Sequence, residues 1–499
     1  MSFTTRRNMT KTLTALLLGA GVLTGCTLAP HYDRPAPPVA TAYPAAPEGY
    51  AAAEVSTGES RPAPEIGWRE FFHDPRLQAL IAASLDNNRD LRVAALRIEE
   101  ARSLYQIQRA DLLPTVNGTA SYTRALTPAT ESVTRSSFVG DLYQVGLAVP
   151  SYELDFFGRV RSLSNAALAQ YFATEEARRA AHISLVANVA QAYLAERSFA
   201  EQYELARDTL KARESTYSLA RQRFDVGATS ALDLRDNESL VAQARVAAAQ
   251  LARQRAQAQN ALEVLVGVPI ASIPNLPAPM RLSDERIISD IPAGLPSDLL
   301  EQRPDIRAAE QQLLSANANI GAARAAFFPR ITLTANAGTI SPTFSGLFDA
   351  GTRAWSFAPQ LVLPIFDYGR NKSNLDLANV RKNIEIATYE KTIQVAFSEV
   401  ADALVARGTL EDQVAGQEQF RNAEAARYDL ARVRFRSGVA SYLDELDAQR
   451  QLFTAEQALI QARQLRLNNA IDLYRALGGG LNETAPVAQA NPPATTSTQ

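Results

Sequence analysis

Arg221-Gln222-Arg223-Phe224-Asp225-Val226-Gly227-Ala228-Thr229-Ser230-Ala231-Leu232-Asp233 ends a stretch that, from Arg159 onward, holds neither glycine nor proline before Gly227. Ala, Leu, Glu, Arg and Gln dominate the stretch, and all are strong helix formers. At 1.5 Å per residue a helix of that length spans about 100 Å. Gly227 suits the left-handed position that ends a helix, and Ser230 suits the N-cap of the next. The chain then returns through Leu240, Ala244, Ala247, Leu251, Ala258, Ala261 and Leu265, at intervals of three, four and seven, and stops at Gly267-Val268-Pro269. Small residues along such a seam allow close helix approach. The reading is an antiparallel helical hairpin far longer than a globular domain needs.

The hairpin occurs twice. Arg432-Val433-Arg434-Phe435-Arg436-Ser437-Gly438-Val439-Ala440-Ser441-Tyr442-Leu443-Asp444 repeats the first turn at a constant offset of 211 residues, from Gly227 to Gly438 and from Asp233 to Asp444. Gly158-Arg159 and Gly369-Arg370 share that offset, whereas Leu91-Arg92 and Pro114 match Ile306-Arg307 and Pro329 at 215. One chain thus carries two copies of a unit of roughly 210 residues, longer than a solenoid repeat.

Before the first copy, Arg6, Arg7 and Lys11 precede an apolar run from Leu13 to Leu23, too short to span a membrane as a mature helix. It reads as a secretory signal. The run ends Leu23-Thr24-Gly25-Cys26, and Cys26 is the only cysteine among 499 residues. This is the pattern of a bacterial lipoprotein signal, in which Cys26 carries a covalent lipid and becomes the first mature residue; no other cofactor is expected. A single acylated cysteine also accounts for an exported chain without disulfides. Thr27 is not acidic, which disfavours retention at the inner membrane.

Between the helices the periodicity changes. Thr115 to Thr123, Tyr143 to Val149, Ile331 to Ala337 and Trp355 to Ala358 alternate polar or small with apolar residues at period two. Aromatics at the ends make this the pattern of lipid-facing barrel strands. Four strands cannot close a barrel, which takes about eight, so several chains must each contribute four. The expected division is a signal peptide at 1–25, a Pro/Ala-rich tether at 26–66 and a first repeat at 67–270, with strands near 115–124 and 141–153 and a tip at 227. A linker at 271–303 then leads to a second repeat at 304–481, with strands near 331–340 and 354–365 and a tip at 438, and a disordered tail at 482–499. The fold class is mainly α with a membrane β-barrel, built from internally duplicated helical hairpins.

Several motifs together carry a family resemblance. They are Trp68…Phe71…Asp74-Pro75, Asn88-Arg89-Asp90-Leu91, Ser151-Tyr152-Glu153-Leu154-Asp155-Phe156-Phe157-Gly158-Arg159, Arg303-Pro304-Asp305-Ile306…Glu310, Ile320-Gly321…Phe327-Phe328-Pro329 and Leu363-Pro364-Ile365-Phe366-Asp367-Tyr368-Gly369-Arg370. From Cys26 to about Leu481 the chain resembles the TolC-type outer-membrane channels, in particular the OprM-like lipoprotein subgroup of multidrug efflux pumps. One departure is that the usual pair of tryptophans near the start is only Trp68, followed by Arg69. The resemblance implies a homotrimer, a 12-stranded barrel, a periplasmic tunnel of 12 helices, a location in the cell outer membrane, and a periplasmic adaptor that links the channel to an inner-membrane pump.

Enzyme chemistry finds no support. His31, His73 and His182 have no metal-ligand spacing, and no phosphate loop, nucleophile elbow or paired cysteine occurs. A net charge of −3 gives no basic bias toward nucleic acid. Passive conduction of drugs or other small molecules is the expected function. A type I protein-secretion duct and a non-conducting lipid-anchored coiled-coil scaffold are the alternatives. The resemblance also implies an acidic ring at the second-copy turn, on the positions of Asp444 and Asp447, with Tyr442, Arg436 and Arg450 as latch partners. Asp444 and Asp233 equally fit the capping-box spacing with Ser441 and Ser230, so for them both readings stand. Val226-Gly227-Ala228 and Ser437-Gly438-Val439 lack bulk and are the expected docking tips for a helical adaptor. Cys26→Ser is expected to abolish incorporation of radiolabelled palmitate; equal label on mutant and wild type would refute the lipoprotein reading.

Overall fold

The computed structural model describes residues 27–44, 61–130, 135–288 and 291–484. Cys26 and the signal segment lie outside the described residues. The first copy runs α1 (Pro75–Asn87), α2 (Arg89–Ala110), β1 (Asn117–Thr127), β2 (Phe138–Glu153), α3 (Arg159–Asp225) and α4 (Ala231–Val266). The second runs α5 (Pro304–Ala325), β3 (Arg330–Ser341), β4 (Arg353–Val362), α6 (Arg370–Arg436) and α7 (Tyr442–Ala476). The long helices α3 and α6 both have 67 residues, α2 and α5 both have 22, and the return helices have 36 and 35. No described helix is long and apolar enough to cross a membrane.

The chain divides into two compact units that cut across the repeats. The first gathers Arg97–Glu175 and Ala308–Glu390 with the start of the chain. At its centre is one antiparallel sheet in the order β1-β2-β3-β4. The two copies meet at β2 and β3, where Gly146 faces Gly338. A side chain at either glycine would come within 2.5 Å of the opposite backbone, so the strands can approach only there because both residues lack one. A bulge between Val149 and Tyr152 shifts the β2 register, at the point where Pro150 cannot donate to the ladder. β4 ends at Val362 rather than near 365, because Pro364 has no N–H and biases Leu363 away from a regular ladder.

The segment read as a free tether is partly docked within this unit. The Arg34 guanidinium binds Glu310 on α5 in a bidentate pair, at 2.7 and 2.8 Å, and the Tyr32 hydroxyl donates to the same carboxylate at 3.1 Å. Asn317 donates to the Pro30 carbonyl and Arg324 to the Leu28 carbonyl. Fixed fork geometry makes such Arg–carboxylate pairs specific as well as strong. A Pro-rich composition gave no sign of it.

In the second unit, the return helices end against the helices that follow in register. Gly267 (φ +81°) and Gly478 (φ +83°) both adopt the left-handed conformation at the ends of α4 and α7. The Asn88 side chain donates to the Leu265 carbonyl at 2.9 Å, and Arg303 donates to the Ala476 carbonyl at 3.1 Å. These donors and acceptors are equivalent positions of the two copies, offset by 215 and 211 residues. Arg303 is additionally clamped by Asp305 and Glu399, at 2.7 Å each. Beside this junction, Trp68, Phe71, Phe72, Leu77, Leu80 and Ile81 form a fully buried cluster. Tyr474 stacks on Phe71 with centroids 3.9 Å apart and donates to the Ile66 carbonyl. The tail starts later than 482: the Asn482 and Glu483 carbonyls accept from Trp68 and Arg69 N–H groups. These bonds to the free N–H groups at the start of the short helix Trp68–Phe71 hold Asn482 and Glu483 against the apolar cluster.

Asp74 caps α1, accepting the Arg76 N–H at 2.7 Å, and also accepts the buried Tyr193 hydroxyl at 2.5 Å. Glu285 is buried against it. Burial, then a hydrogen bond to Asp74 and its charge, push the Glu285 carboxyl up to about 8, against the pull of Arg197, with Asp284 adding to the rise. Glu285 therefore holds its proton at neutral pH, because an ionised carboxylate buried beside the Asp74 carboxyl is costly. The folded-state value lies above the unfolded 4.5, so the stabilisation is complete below about 4.5 and is lost as pH rises through about 8. The wild-type melting temperature is expected to fall between pH 5 and 9 relative to that of Glu285→Gln, which keeps a donor and cannot ionise. Parallel melting curves for the two proteins across that range would contradict the raised Glu285 value.

Candidate functional site: the paired helical tips

Both tips obey one stop-and-start rule. Gly227 (φ +74°) and Gly438 (φ +72°) follow the long helices, and a side chain at either would meet nothing within 4 Å. The backbone conformation, not crowding, is what requires glycine there. Ser230 and Ser441 then cap α4 and α7, each in a full capping box with the acid three residues on. The Asp233 carboxylate accepts from Ser230 N–H and Oγ–H and from Thr229, which holds its pKa below the ordinary range. Asp444 accepts from Ser441 N–H at 3.1 Å and Oγ–H at 2.8 Å. The capping role of Asp444 is thus realised. Val226 and Val439 stand 78% and 68% exposed beside the glycines.

Asp447 differs from the sequence expectation in its partner. It binds Arg427 at 2.6 Å across the hairpin, and Arg427 also reaches Glu424 at 3.1 Å. Bonds to both acids raise the Arg427 pKa. Among the described residues no carboxylate lies in ion-pair range of Arg450 or Arg436. The expectation followed one helix from Asp447 to Arg450. The signal for the true partner is that Arg427 and Asp447 lie nearly equidistant from Gly438, so an antiparallel hairpin brings them together.

The Tyr442 hydroxyl donates to Asn237 Oδ1 at 2.6 Å, which ties the start of α7 to α4 of the other copy. Phe435 packs on the Tyr442 ring at 5.2 Å. Burial, then the Glu445 charge, push the Tyr442 hydroxyl up to about 12, so it remains a donor at neutral pH. The equivalent positions in the opposite copy are Ala231 and Ala448, so the reciprocal bond cannot form. Nearby, Arg213 is 7% exposed and donates to the Leu240 carbonyl at 3.1 Å. Burial and the proximity of Arg450 lower its pKa. Arg427, Asn237 and Arg213 are the tip residues that the sequence reading missed.

The Outer membrane efflux protein family model matches residues 80–268 and 295–479, one match per copy. The chain belongs to the outer membrane efflux protein family. It is 48% identical over 490 residues to the probable efflux pump outer membrane protein TtgC of Pseudomonas putida, covering 98% of this chain and 99% of that protein. It is also 48% identical to the outer membrane protein OprJ of Pseudomonas aeruginosa, covering 94% of this chain and 95% of OprJ. The open-state crystal structure of the Neisseria gonorrhoeae MtrE outer membrane channel aligns with a TM-score of 0.82 at 43% identity, over 93% of this chain and all of that one. The efflux protein thus has the TolC-type fold, and it is an outer-membrane efflux channel.

The Tyr442–Asn237 bond predicts a measurable coupling between the two copies. Tyr442→Phe and Asn237→Ala, singly and together, are expected to show a coupling energy of about 1 kcal/mol in a double-mutant cycle on unfolding stability. Strictly additive effects would show that the hydroxyl makes no net contribution there.

Proposed function

We propose that three copies of this channel close one barrel and one helical tunnel, and that the assembly is the passive exit duct of a tripartite pump. The observation that carries the reading is the four-stranded sheet whose edge strands, β1 and β4, pair with no further strand among the described residues. It lies in a chain whose described helices include none apolar enough to cross a bilayer. Exposed aromatics on and beside the strands, Phe138, Trp355 and Phe357 among them, fit the girdle of a lipid-facing barrel. Cys26 carries the lipid that adds a second hold on the outer membrane. A periplasmic adaptor with helical hairpins meets the small, exposed tips around Gly227 and Gly438, and an inner-membrane pump supplies the energy. Related proteins are named as outer membrane proteins of antibiotic and toluene efflux pumps, which supports small, largely apolar organic cargo. Transport through such a duct needs no chemical step by the protein itself.

The gate lies at the second-copy turn. Asp447, held by Arg427, repeats about the pore axis in a symmetric trimer, and Tyr442 fixes the turn against the first copy. Acids crowded at an axis attract cations and narrow the pore. The test is single-channel recording of the purified protein in planar bilayers. Wild type is expected to conduct weakly, and Asp447→Ala with Asp444→Ala to conduct more and resist block by divalent cations. Arg427→Ala is expected to act in the same direction, and Asp236→Ala in the first copy to do less. Absence of any conductance would refute the duct, and unchanged conductance and block in the double mutant would refute the gate.

A further inference from the structure

The linker after the first copy is pinned beside the second hairpin. Phe72 and Ile287 form an antiparallel bridge, and the His73 N–H donates to the Arg286 carbonyl at 3.3 Å. That pairing fixes Glu285, Arg286 and Ile287 next to α6 and α7, and together the three segments line a cavity of about 320 Å³. Its size is that of a small-ligand site. The buried Leu467 and Leu473 of α7 supply the apolar part of the lining. Asn469, also in the lining, donates to the Ala403 carbonyl at 3.0 Å and so ties the two helices together there.

The charge in this cavity is one-sided. Arg286, Arg407 and Arg466 line it with a single surface acid, Glu411, besides the buried Glu285. Among the described residues no carboxylate lies in ion-pair range of Arg286 or Arg466. The internal duplication shows what has changed. At the offset of 211 residues the first-copy counterparts of Arg407 and Arg466 are Glu196 and Arg255, and those two form an ion pair at 3.1 Å. In the second copy an arginine stands where that acid stood, so Arg466 has lost its partner. Glu285 adds a second unmet need. It is only 6% exposed, its proton is bonded to Asp74, and no donor among the described residues reaches its buried Oε1. A buried acceptor without a donor is costly.

An anion for the arginines and a donor for Glu285 are therefore what the lining calls for, and guanidinium forks suit carboxylate and phosphate alike. We propose that this cavity binds a small organic acid, a carboxylate or a phosphate, whose charge is held by Arg286 and Arg466 and which carries an N–H or O–H for Glu285. Bound there, the acid joins the linker to α6 and α7 and stabilises the folded unit by mass action. The groups around Glu285 set the sign of its pH dependence. They are Asp74 on α1, Tyr193 and Arg197 on α3, Asp284 beside it in the linker, and the arginines and Glu411 of the cavity. With the Glu285 value at about 8, the cavity gains a negative charge above that pH, and a bound anion is repelled.

Isothermal titration calorimetry on the full-length protein in detergent tests the site with three probes. N-acetylglycine carries a carboxylate and an N–H. Levulinate has the same skeleton with a methylene in place of that N–H, and inorganic phosphate is the other anion. N-acetylglycine, phosphate or both are expected to bind at neutral pH, and which of them does so identifies the anion. Levulinate is expected to bind about tenfold more weakly than N-acetylglycine. Arg286→Gln with Arg466→Gln is expected to weaken binding about tenfold or more at an unchanged oligomeric state. Ala470→Phe, which fills the cavity and alters no charge, is expected to abolish it. Affinity for N-acetylglycine is expected to fall up to about tenfold between pH 7 and 9 in wild type and to stay level in Glu285→Gln. No binding of either N-acetylglycine or phosphate at millimolar concentration, or wild-type affinity in both the arginine double variant and Ala470→Phe, overturns the site. Equal binding of levulinate and N-acetylglycine, or an unchanged pH profile in Glu285→Gln, overturns the role of Glu285.

Discussion

The capture of two carbonyl ends holds this architecture together. A helix leaves its last C=O groups without partners, and where those groups are buried the protein must satisfy them itself. At Leu265 the donor is the Asn88 amide, and at Ala476 it is the Arg303 guanidinium. A left-handed glycine then turns the chain aside, and at Gly267 a side chain would come within 2.5 Å of the Asn87 carbonyl. The two junctions solve one geometric problem with different chemistry. Asn88 uses its remaining oxygen to cap α2 at Leu91. Arg303 needs two carboxylates, because a buried cation without them carries a large desolvation cost.

The same divergence on a shared frame appears at the tips. Both capping boxes are intact, so the geometry of helix end, glycine and new helix start is common to the copies. Around that frame, the Asp447–Arg427 pair lies within the second copy and the Tyr442–Asn237 bond runs from the second copy to the first, and neither has a mirror at the equivalent positions. The proposed trimer thus has six similar hairpin tips of two chemically distinct kinds. Both kinds carry an acid at the matching position, Asp236 and Asp447, but only one carries the tyrosine and the paired arginine, whose counterparts are Ala231 and Thr216.

Much of this was legible in the residues. Gly227 and Gly438 at one offset, the capping serines and the stretch from Arg159 to Val226 without glycine or proline fix the hairpins, because each signal acts locally. The strands were legible from alternation, although the bulge and the end of β4 depend on prolines whose effect is felt only against a neighbouring strand. Contacts distant in sequence were not legible. Nothing local in Tyr32 or Arg34 points to Glu310, 278 and 276 residues away. Glu285 reads as a solvated loop acid until the Asp74 cap and the Tyr193 hydroxyl are seen around it. The Asp447 partner was missed because periodicity along one helix says nothing about what stands opposite.

The hairpin pairing also dictates an order of events during folding. Arg427 meets Asp447 across 20 residues, Glu214 meets Arg245 across 31, Glu418 meets Arg463 across 45, and Glu196 meets Arg255 across 59. Within each hairpin the outer contact encloses about twice the loop of the inner one, 45 against 20 residues in the second copy and 59 against 31 in the first, and the entropy of closure grows only with the logarithm of loop length. The hairpins can therefore zip outward from their capped turns, each rung lowering the cost of the next. The seam between Gly146 and Gly338 has no such ladder of nearer contacts beneath it, and contacts this remote form slowly. Zipping of the two hairpins thus comes early, and the union of the duplicated halves into one sheet comes late.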